Sequence, residues 1–217
     1  MISTILGLKQ VKNRKSCLLM AIRSARYLTG RDVITGKALG IGEMEYNVLK
    51  KDEVQTHQLY NEHFFTGIAM YLIALDCIGC LFENTTIKPV DDNNSIVRAL
   101  ESFSALKNKE IEAVKDLRNT LAHNYGLATE SKGGTKKTKH KFTLSFSDNT
   151  NAIRIPKKDW DGDYANKRQS NSTIIGVPSF CDLIETIIAN VYKCNESGSL
   201  KLRIENNEAK ARFTILV

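Results

Sequence analysis

Near the middle of the chain, the string Asp116-Leu117-Arg118-Asn119-Thr120-Leu121-Ala122-His123-Asn124-Tyr125-Gly126 collects residue types that act on phosphodiesters. Arginine carries a permanent charge in a fork that fits phosphate, and histidine exchanges protons near neutral pH. Arg118 is suited to hold a scissile phosphate and to stabilise the charge that gathers on it. His123 is suited to take the proton of a ribose 2′-hydroxyl, or to donate one to the departing 5′-oxygen. That chemistry requires neither a metal nor a cofactor. On a helix, Arg118 and Tyr125 are nearly eclipsed two turns apart, whereas His123 lies about 140° around from Arg118. A long arginine and a fraying last turn allow one shared groove without requiring it.

The string resembles the motif of the HEPN superfamily, helical proteins linked to higher eukaryote and prokaryote nucleotide-binding systems. The pattern of that family is arginine, a polar residue and a gap giving R-x4-6-H at the end of a bundle helix. Arg118, Asn119 and His123 match it with a four-residue gap, and Tyr125 matches the R-x4-H-x-Y form of one branch. That branch is the toxin paired with a minimal nucleotidyltransferase antitoxin. Close resemblance covers about eight residues, together with the helical context of roughly residues 50–126. R-x4-H alone is expected about 0.2 times by chance in a chain of this composition, so the weight falls on Asn119, Tyr125 and the helix end.

The resemblance implies a mainly α, HEPN-like bundle of four or more helices acting as a metal-independent endoribonuclease, as a toxin or in defence. It implies a homodimer in which two Arg118–His123 pairs line one cleft, RNA as substrate and a nucleotidyltransferase antitoxin as partner. Asn119 and Tyr125 are then supporting residues, and Tyr125 is a candidate acceptor of a silencing nucleotidyl group. The family also contains non-catalytic members that bind nucleotides or partner proteins. A third reading is structural: a helix end whose Arg118 and His123 serve packing and capping.

The bulk numbers suit a folded domain. With 217 residues, 42% of them hydrophobic and 25% charged, the chain can bury a full core and is not disordered. A net charge of +7 favours a polyanionic partner such as nucleic acid. Cys17, Cys77, Cys80, Cys181 and Cys194 have no framework spacing. They read as small buried hydrophobes in a reducing, cytoplasmic setting rather than as zinc ligands. The run from Phe64 to Phe82 is nearly long enough to span a bilayer, but Asp76 stands inside it. A mid-membrane aspartate costs roughly 2.5–3.5 kcal/mol, which favours a buried core helix over a membrane span.

The elements that must position the motif follow from periodicity. Helices are expected over about Lys9–Leu28, over Glu53–Glu83 with a break near Gly67, and over Ser95–Tyr125 with a break at Lys107–Lys109. Gly126 is placed to end the last of these in a left-handed turn. Gly36-Lys37 is no phosphate loop: Gly30 to Gly36 encloses five residues where the pattern needs four, and Ala38 follows the lysine. Residues 1–127 read as the helical core of one domain covering 1–217. Residues 128–217 add a basic loop, β-hairpins and a further helix opening at Pro178. One hairpin is expected from KFTLSF and AIRIP, and a second from the two runs flanking Asn206-Asn207. In this third, Lys136, Lys137 and Lys139 are candidates to track an RNA backbone, with His140 solvated among them. Trp160 is a candidate to stack on unpaired bases, or else an aromatic plug at the domain edge.

Overall fold

The structure is a computed structural model that describes residues 1–9, 13–39, 53–124, 126–130, 139–146, 150–165 and 169–216. Seven helices run through the described residues, among eight short strands, so the chain is mainly α. A four-residue helix α1, Ile2–Ile5, precedes strand β1, Arg14–Ser16, and helix α2, Cys17–Leu28. The helix expected from Lys9 begins only at Cys17. Ser16 caps it by accepting from the Leu19 N–H at 3.2 Å, and the residues just before are committed to strand pairing. Leu18, Ala21, Ile22 and Ala25 recur at helical spacing and turn inward.

Helix α3, Glu53–Leu81, is the long central element. It runs through Gly67 unbroken: a Cβ there would lie 2.6 Å from the Thr29 side chain, so the glycine admits the end of α2. Ile68, Tyr71, Leu72, Ala74, Leu75, Ile78 and Leu81 are all buried. Among the described residues, His63–Leu81 is long and apolar enough to cross a membrane, and half of its apolar window is buried inside the protein.

Strand β2, Phe82–Asn84, leads to α4, Ser95–Phe103, and α5, Asn108–Asn124. The expected third helix is two, with the break at residues 104–107, just before the Lys107–Lys109 position expected. Asn94 caps α4 by accepting from the Ile96 N–H, and Ser104 ends it in extended backbone. Glu110 then reaches back to the Lys107 N–H at 2.8 Å, half of a capping box that starts α5. Ile111, Ala113, Val114, Leu117 and Leu121 bury the inner face of α5.

The C-terminal third departs from the expected hairpins. Strands β3 (Ala128–Glu130), β4 (Lys139–Ser145), β5 (Ile153–Arg154) and β6 (Thr173–Gly176) form one sheet in the order β3-β4-β6-β5. β4 and β5 do not pair with each other. β6 lies between them, parallel to β4 and antiparallel to β5, which buries Thr173 and Ile175. The second expected hairpin is also absent. β7, Leu200–Leu202, pairs with β2, and β8, Thr214–Leu216, pairs with β1, while α7, Asn206–Phe213, spans the expected turn. Helix α6, Val177–Glu196, sends Phe180, Ile184, Ile187, Ile188 and Val191 into the same core as α2 to α5. Two strand pairs and one shared core thus join the C-terminal third to the helical part.

Candidate functional site

Arg118 leaves α5 toward α3 and meets Asp76. Its Nε and Nη2 both face Oδ2 of that carboxylate. Its Nη1 donates to Oδ1 of the neighbouring Asn119 at 3.1 Å. The other carboxylate oxygen, Oδ1 of Asp76, accepts from the Ser95 hydroxyl at 2.6 Å. Three helices therefore fix one guanidinium: α3 through Asp76, α4 through Ser95, and α5 through Arg118 and Asn119.

Local sequence explains how they come so close. A Cβ on Gly79 would sit 1.7 Å from the Ser95 carbonyl oxygen, so only glycine one turn beyond Asp76 lets the start of α4 seat there. Arg98 secures the same junction, donating from Nε to the Gly79 carbonyl at 2.9 Å and from Nη1 to the Asp92 carbonyl at 2.6 Å. Asp76 is the partner that sequence reasoning missed. Its signal is available in the sequence, because the lone carboxylate of the apolar run from Phe64 to Phe82 needs a cation or a donor. Its distance along the chain from Arg118 hid which one.

The Arg118 side chain remains 32% exposed and that of Asp76 18%. His123 is exposed in the last turn of α5. Within one chain, then, Arg118 is brought to Asp76, Ser95 and Asn119, and His123 stands at the surface. Tyr125, Lys136 and Lys137 lie outside the described residues. Lys139 opens β4, opposite Glu130 of β3.

Burial places two side chains of the C-terminal third, Trp160 in one of its two expected roles and His140 against expectation. Trp160 is only 2% exposed, its Nε1 donates to the Asp163 carbonyl at 3.1 Å, and Tyr164 packs edge-on against it at 4.9 Å between ring centroids. A ring so enclosed is the plug and offers no face to a base. His140 is no solvated loop residue. It lies in β4, its ring stacked on Phe142, its Nδ1 2.9 Å from the Thr173 hydroxyl and its Nε2 3.7 Å from Oδ2 of Asp116 on α5. Burial holds the His140 pKa below its ordinary value, against the opposing pull of Asp116.

A second polar centre, unread in the sequence, lies between α2, α3 and α6. Arg26 grips both oxygens of Glu185 through Nε and Nη2, at 2.9 and 2.8 Å, and its Nη1 donates to the Val33 and Ile34 carbonyls. Tyr71 donates to the same carboxylate at 2.7 Å. Arg31 beside it bonds Asp182, the Gly36 carbonyl and the Pro178 carbonyl. These contacts fold the glycine-bearing segment after α2 onto α6. Burial pushes the thiol of Cys77 up to about 12 and that of Cys181 up to about 11. Among the described residues no group of three His, Cys, Asp or Glu side chains is arranged to hold a metal ion.

No family model, no curated protein and no solved structure matches this chain. What fold and site define is a mainly α domain in which a half-open arginine is held by three helices, one and a half turns before an exposed histidine.

Proposed function

We propose that this chain is a HEPN-like, metal-independent endoribonuclease, acting on RNA as a toxin or defence protein in the cytoplasm. The observation that carries the reading is Arg118: held on one edge by Asp76 and on another by Asn119, yet a third exposed, with N–H groups that no described residue takes and that a phosphate can use. His123, open to solvent on the same helix, supplies proton transfer.

In the proposed reaction the 2′-hydroxyl loses its proton to His123 as its oxygen attacks phosphorus. The bond from phosphorus to the 5′-oxygen breaks, and a second histidine protonates that oxygen. The products are a 2′,3′-cyclic phosphate and a free 5′-hydroxyl. A homodimer with two Arg118–His123 pairs on one cleft provides the second histidine. The branch with the R-x4-H-x-Y pattern adds a nucleotidyltransferase antitoxin as partner and Tyr125 as its target.

A second reading has its own support. The fork of Arg118 already faces a carboxylate, as in a structural ion pair, which suits a non-catalytic HEPN-like protein that binds a nucleotide or a partner. Incubation with mixed RNA in EDTA separates the two. The ribonuclease leaves cyclic phosphate ends, and Arg118→Ala and His123→Ala, each still folded, lose that product by about a hundredfold or more. Equal cleavage by all three proteins, or none by a dimeric wild type across varied RNAs, turns the assignment to the binding module.

A further inference from the structure

Asp76 has no place in the motif, yet it makes the firmest contact that Arg118 has. A carboxylate at that point has two opposite consequences for an RNA-cleaving site. It offsets the charge of the guanidinium, which weakens attraction for any phosphate at rest. It also holds a long, many-rotamer side chain in one orientation before substrate arrives. The details favour a device for orientation. Only Oδ2 of Asp76 meets the arginine, while Oδ1 is tied to Ser95 at 2.6 Å, so the carboxylate itself cannot swing. Asn119 fixes the Nη1 side at 3.1 Å, and Gly79 is spared a side chain so that Ser95 can reach.

Resting on the ribonuclease reading, we infer that Asp76 is a positioning residue, steadied by Ser95, that aims the free edge of Arg118 at the scissile phosphate. It trades ground-state grip for alignment in the transition state. The consequence is a split that a merely structural residue does not produce. Loss of the carboxylate slows turnover while leaving RNA binding intact or tighter.

The test uses full-length wild type, Asp76→Asn, Ser95→Ala and Arg118→Ala, each checked by thermal melting. Cleavage of RNA is timed in EDTA, and affinity is read with a fluorescent 2′-O-methyl RNA, which lacks the attacking hydroxyl. Asp76→Asn is expected to cleave about tenfold slower or worse and to bind the probe at least as tightly as wild type. Ser95→Ala falls between, and Arg118→Ala loses both binding and cleavage. Active wild type beside equally active Asp76→Asn overturns this inference alone. So does a folded Asp76→Asn that loses binding and cleavage in parallel. A wild type that cleaves no RNA overturns the ribonuclease reading and this one with it. Should Asp76→Asn fail to fold, Asp76→Glu keeps the charge and moves the carboxylate by one methylene. Slowed cleavage there supports the inference, and wild-type rates in both Asp76→Glu and Ser95→Ala defeat it.

Discussion

Tyr71 and Asp76 lie five residues apart on α3, and each belongs to an arginine–carboxylate centre, one sealed and one half open. At the sealed centre, Arg26 is 7% exposed and its guanidinium is bound by Glu185 and by two backbone carbonyls. Tyr71, which completes it, is fully buried, and burial beside Glu185 raises its phenol well above the ordinary value. At the open centre, Arg118 meets a carboxylate through one oxygen and keeps a third of its side chain in solvent. The pairs are chemically alike, and the difference lies in what remains. A buried pair bound from both sides holds structure together, because any ligand must first break it. A partly satisfied one at the surface has donors to offer. The molecule places the first where α2, α3 and α6 meet and the second on the helix that carries the exposed histidine.

That contrast can be broken by mutation. The largest effect is expected for Glu185→Ala, which leaves the buried Arg26 without its counter-charge and costs about 3–5 kcal/mol in urea unfolding. A cost below about 1 kcal/mol would place that centre with ordinary surface pairs. Next comes Gly79→Ala, whose added methyl meets the backbone of Ser95 rather than a yielding side chain. A loss of about 1–3 kcal/mol is expected, with α4 displaced and the proposed RNA cleavage reduced along with it. An unchanged melting temperature would deny the close seat described for α4. Arg118→Met should cost only about 0–1 kcal/mol, since the pair is partly solvated, while removing the proposed RNA cleavage. A large loss of stability there would erase the distinction between the two centres.

The smallest effect concerns His140 and depends on pH. Its folded pKa lies below 6.5 because burial penalises the imidazolium. As pH falls through 6.5 the unfolded chain takes up a proton that the folded chain resists, so stability is present above that value and drains away below it. His140→Gln should flatten this part of the stability curve, measured by urea unfolding at a series of pH values, and leave it unchanged above neutrality. An identical acid slope in both proteins would assign it to other groups.

Much of this was legible in residue order, and particular residues show where legibility stopped. The apolar spacing along α2, α3 and α5 gave helices, and Pro178 marked the start of α6, because helical periodicity is a local property. Periodicity alone starts α2 too early, since β1 takes its partner from β8 about two hundred residues away. The hairpins failed for the same reason. Alternation reports that a strand has two faces but not which strand lies beside it, and β6 enters between β4 and β5 from farther along the chain. Trp160 suits either plug or platform by residue order, and only burial chooses.

By itself the sequence determined the helical character of the chain, the motif string from Arg118 to Tyr125, and the presence of one charge in the otherwise apolar run from Phe64 to Phe82. Each of these is carried by neighbours within a few turns. The tertiary structure decided that the lone charge belongs to Arg118, that Gly79 and Ser95 secure it, and that Arg26 and Glu185 form a sealed counterpart. Those pairings join residues 42 and 159 positions apart. Long-range partners of this kind are selected by how helices pack, and packing is a property of the whole core rather than of any segment.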